Sequence, residues 1–401
     1  MSYNKHMLIS FTVSNYKSIL DSVTLNMVAD ETDLSYNDTL IHGSDGLLNP
    51  VSVIYGPNGS GKTTLLDAMK LLKTIVLSGK YNNDVIRIPQ NRNASKDTPT
   101  NFKMIFEIGI VYILNLSILN NRVNATLECL DEGKRETVIT INDAELNSGF
   151  CDSVPKNIIH FFSNLVVYDA IEDEPEHRAD FKLQNDALRY VNNTQNPVQG
   201  IFFIDDNSVG KKTELFVSLL NAFGTGITRV EYGDSLSTRK YGVSAQAAQI
   251  HQLLIPETVY YGDIGIPIKD ESSGTKRLIK TAFTICSALF KGDSVVLIDE
   301  LDAGLHDMLS TEIVKQFIKN NKKTNCQLIF TTHNTNLMKS HMLRRDQIWF
   351  SQMTSQHTTE LYSLSDLKNA PKPTADFAES YLNGKYGAVP LIPENSVQEE
   401  G

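Results

Sequence analysis

The sequence predicts an α/β fold with a mostly parallel core sheet. Short, nearly continuous apolar runs occupy residues 51–55, 294–298 and 327–331, as in strands that are buried on both faces. Two stretches with apolar residues at helical spacing, at about residues 274–290 and 308–320, precede the second and third runs. Strands that alternate with helices are typical of parallel sheets.

The N-terminal residues predict two further strands and the first helix. Residues 8–13 and 23–27 are short apolar segments separated by a polar turn, and each predicts a strand. After the run at 51–55, Gly79 supplies a stop for a helix. Its apolar residues recur at helical spacing, and they are Leu65, Leu66, Met69, Leu72, Ile75 and Val76.

The middle of the chain divides into a sheet region and a region of weak patterns. Residues 81–100 are rich in Asn, Pro and charge and predict a loop. The segments 102–119, 123–130 and 137–141 predict a small antiparallel sheet that follows the first helix. From 143 to 267 the patterns weaken, and we predict an inserted, mainly helical lobe.

Length, composition and charge exclude several classes of protein. The 401 residues exceed what one compact core usually holds. No apolar run reaches the roughly 18 residues that cross a bilayer, and the first ten residues lack a secretory signal, so we expect a cytoplasmic protein without a membrane partner. The four cysteines contain no CxxC pair, which argues against a zinc or disulfide framework. The net charge of −10 disfavours a uniformly basic protein that coats nucleic acid.

A glycine-rich loop between the run at 51–55 and the first helix has the pattern of a phosphate-binding loop. Its glycines let backbone N–H groups turn toward phosphate oxygens, and the helix N-terminus faces the same anion. The alternative, a glycine-rich turn with a solvated lysine, lacks this strand and helix context. The residues predicted to bind ATP are Asn58, Gly59, Ser60, Gly61, Lys62, Thr63 and Thr64.

Two adjacent carboxylates follow the run at 294–298, where open α/β sheets hold their ligands. We expect Asp299 to bind Mg²⁺ together with the Thr63 hydroxyl, and Glu300 to act as the general base toward the attacking water. The alternative is a strand end that runs into an acidic, solvated turn.

His333 follows the run at 327–331 and is expected to lie at the same edge as Glu300, beside the γ-phosphate or the attacking water. A histidine at a strand end is otherwise more often structural. Ser272 or Ser273 is by default an N-cap. The second possibility is that Ser273 and Gly274, at a helix N-terminus, cap the γ-phosphate held by another subunit.

The order of these motifs resembles the ATP-binding-cassette heads of the SMC, Rad50 and OLD-type ATPases. The resemblance implies the phosphate-loop lysine, the Walker B aspartate, the catalytic glutamate, the D-loop aspartate and the switch histidine at Lys62, Asp299, Glu300, Asp302 and His333, respectively. The signature departs from the family, because Thr275 and Lys276 replace its final glycine and glutamine. A glutamine loop is also implied, and Gln90, Gln184 and Gln199 all stay open.

The head resemblance implies a divided domain organisation. We assign residues 1–142 to the N-terminal part of the ATPase head with its antiparallel β subdomain, 143–267 to the inserted lobe, 268–365 to the C-terminal part of the head and 366–401 to a C-terminal extension. The stretch between Lys62 and Asp299 is too short for a Rad50-like coiled coil.

A closer resemblance, carried by segments 11–18, 271–277, 344–350 and 381–390, is to the AAA15 or RloA (AbiLii)-like bacterial ATPases, which are related to the ATPase of the PARIS anti-phage system. It implies a Mg-ATP-dependent ATPase that acts as a homodimer or larger assembly. The implied partners are a separate effector such as a TOPRIM nuclease encoded nearby, and a phage-derived trigger. The rivals are a RecF- or Rad50-type DNA clamp and a binding switch with little hydrolysis.

Two basic points are candidates for contact with nucleic acid or a partner. Lys276, Arg277 and Lys280 share one predicted helix, and Arg344 adjoins Arg345. The alternative for both is a solvated face.

Overall fold

The computed structural model describes residues 5–78, 89–145, 153–169, 206–232, 256–339, 342–368, 371–372 and 375–390. The strands are β1 His6–Ser14, β2 Val23–Asn26, β3 Ile41–Gly43, β4 Gly46–Leu48, β5 Val51–Tyr55, β6 Thr100–Ile108, β7 Ile110–Leu119, β8 Arg122–Asp131, β9 Lys134–Glu145, β10 Leu165–Asp169, β11 Arg229–Glu231, β12 Thr258–Tyr261, β13 Ile264–Pro267, β14 Val295–Asp299, β15 Gln327–Thr331, β16 Ile348–Met353 and β17 Thr359–Ser363. The α-helices are α1 Lys62–Ser78, α2 Lys156–Ser163, α3 Asp206–Ala222, α4 Ser273–Lys291, α5 Asp307–Asn320, α6 Asn336–Lys339 and α7 Phe377–Leu382.

The core sheet confirms the predicted fold class. Its six strands lie in the order β10-β14-β15-β5-β16-β17, and every neighbouring pair is parallel except β16 and β17. All five residues of β5, of β14 and of β15 are buried. Their side chains alternate between two apolar cores, one shared with α4 and α5 and the other with α1 and the antiparallel sheet. The sheet is therefore covered on both faces, as the apolar runs predicted.

The antiparallel sheet is larger than the predicted meander. It has the order β2-β1-β6-β7-β8-β9, so the two N-terminal strands join it across a long sequence separation. The predicted strand 102–119 is two strands that turn at Gly109, whose φ is 73°. Hydrophobic alternation predicted the strands but could not show which distant strand would pair with β6.

The range 143–267 contains at least one strand of the core sheet. Strand β10 pairs in parallel with β14, with Leu165 opposite Val295 and Asp169 opposite Asp299. Helix α3 packs against α4, and Val259 of β12 belongs to the same apolar core. These segments form part of the head instead of a separate lobe. Much of the remaining range lies outside the described residues, and the domain division stays a prediction.

Arg344 and Arg345 do not form a solvated basic face. The Arg344 side chain is only 1% exposed and pairs with Asp346, with Nε to Oδ1 at 3.1 Å. It also donates to the carbonyl oxygens of Asp30 and Ser35, at 2.7 and 2.8 Å. Arg345 Nε lies 3.0 Å from Asp33 Oδ2. Both cations therefore fasten the segment after β2 to the edge of the core sheet, and neither is available to nucleic acid.

Candidate nucleotide-binding site

The candidate site lies at the carboxyl ends of three adjacent parallel strands. The phosphate loop follows β5, Glu300 follows β14, and His333 comes two residues after β15. Since β15 lies between β14 and β5, the fold brings the two halves of the chain to one edge. The sequence predicted that these three segments lie at the same edge of the sheet, but it did not predict the order of the strands.

The phosphate loop requires glycine at two positions where other segments approach it closely. A Cβ on Gly56 would lie 2.2 Å from the Ser351 carbonyl oxygen, and one on Gly61 would lie 2.1 Å from Thr359 Oγ1. Both glycines also have positive φ, 153° and 102°. Strands β16 and β17 therefore support the loop from outside, which the sequence motif does not reveal.

Lys62 is a buried cation inside this loop. It is 6% exposed, and its ammonium donates to the carbonyl oxygens of Gly56 and Pro57 at 2.8 and 3.0 Å. Burial lowers its pKa, while Glu300, Asp299 and Asp302 act in the opposite direction. The Ser60 hydroxyl is buried in the same loop and has no hydrogen-bond partner among the described residues. A buried ammonium, an unpaired hydroxyl and a helix N-terminus fit a phosphate group.

Asp299 is the centre of a hydrogen-bonded network of hydroxyl groups. Its Oδ2 accepts from Thr63 Oγ1 at 2.7 Å, and its Oδ1 accepts from Thr331 Oγ1 at 2.5 Å. Asp299 is 7% exposed. The hydroxyl and carboxylate that the sequence assigned to Mg²⁺ therefore lie in direct contact, and hard oxygen ligands of this kind fit that ion.

Glu300 lines the cavity in front of the loop, and its backbone has a positive φ of 49°. Its N–H donates to Thr331 Oγ1 at 2.7 Å. The same threonine thus links the backbone of Glu300 to the carboxylate of Asp299. Glu300 therefore lies beside the phosphate loop, at the sheet edge where the sequence predicted it.

His333 lies near the same charged groups but does not line the cavity. Its backbone N–H donates to Asp302 Oδ1 and Oδ2 at 3.3 and 3.1 Å. Desolvation and then Lys62 lower the pKa of the ring, against the opposing effects of Asp302, Glu300 and Asp299. Desolvation and the Lys62 charge thus favour the neutral form of the ring. Asp302, expected to act toward another subunit, accepts a hydrogen bond within its own chain.

Ser273 and Gly274 do not line the cavity of their own chain. Ser272 is the N-cap of α4, because its Oγ accepts from Thr275 N at 3.1 Å. Ser273 is the first residue of the helix and is exposed. A Cβ on Gly274 would lie 3.6 Å from the Gly304 carbonyl oxygen, so the helix start adjoins the turn that contains Asp302.

The cavity has a volume of about 720 Å³ and extends well beyond the phosphate loop. Its other wall was missed by sequence reasoning. The turn at Lys17 and Ser18 was predicted as the polar turn between two strands and cited for the family resemblance, without a role in the site. A hairpin turn more than 330 residues later closes the same wall, where Thr359 N donates to Ser18 O at 2.8 Å. The lining residues that were missed are Lys17, Ser18, Pro89, Asn91, Arg92, Asn93, Gln356 and His357.

Of the three glutamine-loop candidates, Gln90 lines the cavity and donates to Thr98 O at 2.9 Å. Gln184 and Gln199 lie outside the described residues. The end of β10, next to Asp299, carries Asp169 and no glutamine. The assignment of a glutamine loop therefore stays open.

Arg277, from the basic cluster with Lys276 and Lys280, is directed into the head. Its Nη2 donates to the carbonyl oxygen of Glu300, so this side chain belongs to the site instead of to a solvated basic face. Within the described ranges, no helix is both long and apolar enough to cross a membrane.

Comparisons with known proteins agree with this site. The chain resembles the SMC head bound to the C-winged helix domain of ScpA, at 16% identity and a TM-score of 0.50 over 89% of this chain and 97% of that chain. The SMC head domain from Thermotoga maritima matches at 17% identity and a TM-score of 0.40, over 89% and 98% of the two chains. The first likeness supports an SMC-head-type fold. No curated protein matches the sequence.

A protein-family model matches residues 51–339, well over half of the chain, and spans the phosphate loop, Asp299, Glu300 and His333. Its description is "AAA domain, putative AbiEii toxin, Type IV TA system". Because the matched range contains every strand end that forms the site, the chain belongs to this family of AAA domains.

Proposed function

We propose that the protein is a Mg-ATP-dependent ATPase that converts ATP and water to ADP and phosphate. The observation that carries the proposal is the direct contact of Thr63 with Asp299, beside the buried ammonium of Lys62. The closeness of these three side chains at one sheet edge supports a shared role in binding a metal ion and phosphate groups. Phosphoryl transfer depends mainly on such positioning and charge stabilisation.

Each residue has a defined task in this reaction. Lys62 and the loop N–H groups bind the phosphates, while Thr63 and Asp299 hold Mg²⁺, which would neutralise charge on the phosphate oxygens. Glu300 takes a proton from the attacking water as general base. His333, which follows the neighbouring strand β15, hydrogen-bonds the water or the γ-phosphate. The outer wall of the cavity receives the nucleoside.

A second copy of the chain completes the site. The exposed N-terminus of α4 carries Ser273 and Gly274, and the cavity of the same chain does not include them. In a two-fold dimer each helix N-terminus would face the γ-phosphate bound by the other copy, near the turn of Asp302. We therefore include Ser273, Gly274 and Asp302 in the proposed composite site.

The proposed biological role is that of a sensor or regulatory ATPase in anti-phage defence, as in the RloA-like ATPases, which controls a separate nuclease effector after a phage-derived trigger. The support is the family description, which names a toxin of a toxin–antitoxin system. Co-expression with the product of the neighbouring gene, followed by purification with ATP or ADP, tests this role. A nucleotide-dependent complex is expected, and two proteins that never associate would contradict it.

The ATPase assignment is tested by phosphate release from the purified protein. We expect turnover with ATP and Mg²⁺, none with EDTA, and none for Lys62→Ala, because the phosphates lose the buried cation that faces them. ATP binding by Lys62→Ala should weaken by at least about tenfold. Normal hydrolysis by this variant would remove the phosphate-loop assignment.

A further inference from the structure

Arg277 lies one turn into α4, four residues after Ser273, and is directed toward the backbone of Glu300. Its Nη2 donates to the carbonyl oxygen of Glu300. Desolvation lowers the pKa of the guanidinium, and the charges of Asp302 and Glu300 oppose that effect. The side chain thus contacts the backbone of the proposed general base without lining the cavity.

Hydrogen bonds hold the backbone of Glu300 at both its N–H and its carbonyl group. Its N–H donates to Thr331 Oγ1 at 2.7 Å, and its carbonyl oxygen accepts from Arg277 and from the Ala303 N–H, the latter at 3.0 Å. Between these contacts the backbone has a φ of 49°, a left-handed conformation that is disfavoured for a residue with a side chain. Such a conformation persists only where surrounding groups enforce it. Loss of the Arg277 contact would leave the carbonyl to the Ala303 N–H alone, which relaxes the constraint on the Glu300 side chain.

We infer that Arg277 is a positioning residue that fixes the carboxylate of Glu300 and links it to the start of α4. The inference rests on the proposed function, since it assigns Arg277 no contact with ATP. Because Arg277 lies one turn after Ser273 on the same helix, displacement of the start of α4 is transmitted to the Glu300 carbonyl. Engagement of the helix start by a partner's nucleotide thereby regulates hydrolysis in the helix's own chain.

The first test separates positioning from nucleotide binding. Arg277→Met keeps most of the side-chain length and removes the donor. Its kcat should fall by about 10- to 100-fold, while the Kd for ATP changes by less than about threefold. Arg277→Lys, which retains a cation and a donor, should recover part of kcat. Arg122→Met, the same change at an exposed arginine on β8, is the matched control and should behave like the parent protein.

The decisive test is a double-mutant cycle with Glu300→Gln, measured as single-turnover hydrolysis of labelled ATP. If Arg277 acts through Glu300, adding Arg277→Met to Glu300→Gln should slow the residual rate by less than about threefold. The inference would be overturned if the rate loss of the double variant equalled the product of the losses of the two single variants. An unchanged kcat in Arg277→Met alone would also overturn it. A parent protein that does not hydrolyse ATP would instead refute the proposed function, so the two failures are distinguishable.

Discussion

At the scale of single residues, the most informative feature is the backbone of Glu300. A left-handed conformation costs a residue with a β-carbon about 1–2 kcal/mol, and such strain is found preferentially at functional sites. Thr331 and Arg277 supply side-chain hydrogen bonds that hold it. The Asp-Glu pair was visible in the sequence, but its strained geometry depends on a neighbouring strand and on a helix that begins 27 residues earlier.

A second residue-scale feature is a pair of histidines whose rings are in contact. His6 of β1 and His160 of α2 meet edge to face with ring centroids 4.9 Å apart. Desolvation and Lys291 lower the pKa of His6. Desolvation, His6 and Lys291 lower the pKa of His160 to about 4, with Asp293 acting in the opposite direction. Both rings are therefore neutral in the folded protein near pH 7.

This pair predicts a loss of stability in mild acid. In the unfolded chain the histidines bind protons below their ordinary pKa of about 6.5, whereas the folded protein resists protonation. The contribution of the two neutral histidines to the free energy of unfolding is fully present well above pH 6.5. It should fall as the pH drops toward 4, by at most about 1.4 kcal/mol per pH unit for each proton. Thermal unfolding measured between pH 7.5 and 5 tests this.

The variant that checks the assignment is His160→Phe, which keeps a ring and removes the titration. The pH dependence of its melting temperature should be shallower than that of the parent protein. His42→Phe, at an exposed histidine of β3, should leave the slope unchanged. Equal slopes in all three proteins would show that other groups cause the acid sensitivity.

At the scale of elements, helix α4 was predicted closely and its start has a clear physical origin. Ser272 caps the helix, and Gly292, with a φ of 74°, ends it. The exposed position of Ser273 leaves the helix N-terminus open to a ligand of another copy. An arginine at this position would place a long cation against the opposing chain.

Ser273→Arg should therefore hinder ATP-dependent self-association and leave ATP binding by the monomer nearly intact. Light scattering with a non-hydrolysable ATP analogue measures assembly, and nucleotide titration measures binding. Thr137→Arg, on the exposed strand β9, is the control and should assemble like the parent protein. An assembly state that responds neither to nucleotide nor to Ser273→Arg would contradict the composite site.

Strand β10 shows where element prediction failed. Its five residues lie in a region of weak patterns, and such a short apolar run does not distinguish a core strand from part of a helix. Only the parallel pairing with β14 identifies it as the edge of the core sheet. The residue range predicted for the helical lobe therefore includes a strand of the core sheet.

At the scale of the whole molecule, the two ends of the chain close around the phosphate loop. The carbonyl oxygen of Ser60 accepts from Ser351 Oγ at 2.8 Å and from Thr359 Oγ1 at 2.9 Å. The hairpin of β16 and β17 also meets the N-terminal turn, where Thr359 Oγ1 donates to Ser18 Oγ at 2.8 Å. The loop is consequently held by hydrogen bonds from residues that lie far from it in the chain.

The sequence by itself determined the fold class, the phosphate loop, the carboxylates and the strand that precedes His333, because local spacing and residue chemistry encode each of them. Only the tertiary structure decided how β10, β16 and β17 flank the site, which residues form the outer wall of the cavity, and that Arg344 is buried while Arg277 reaches Glu300. These contacts join residues far apart in the chain, and strand order and side-chain direction depend on how the whole core packs.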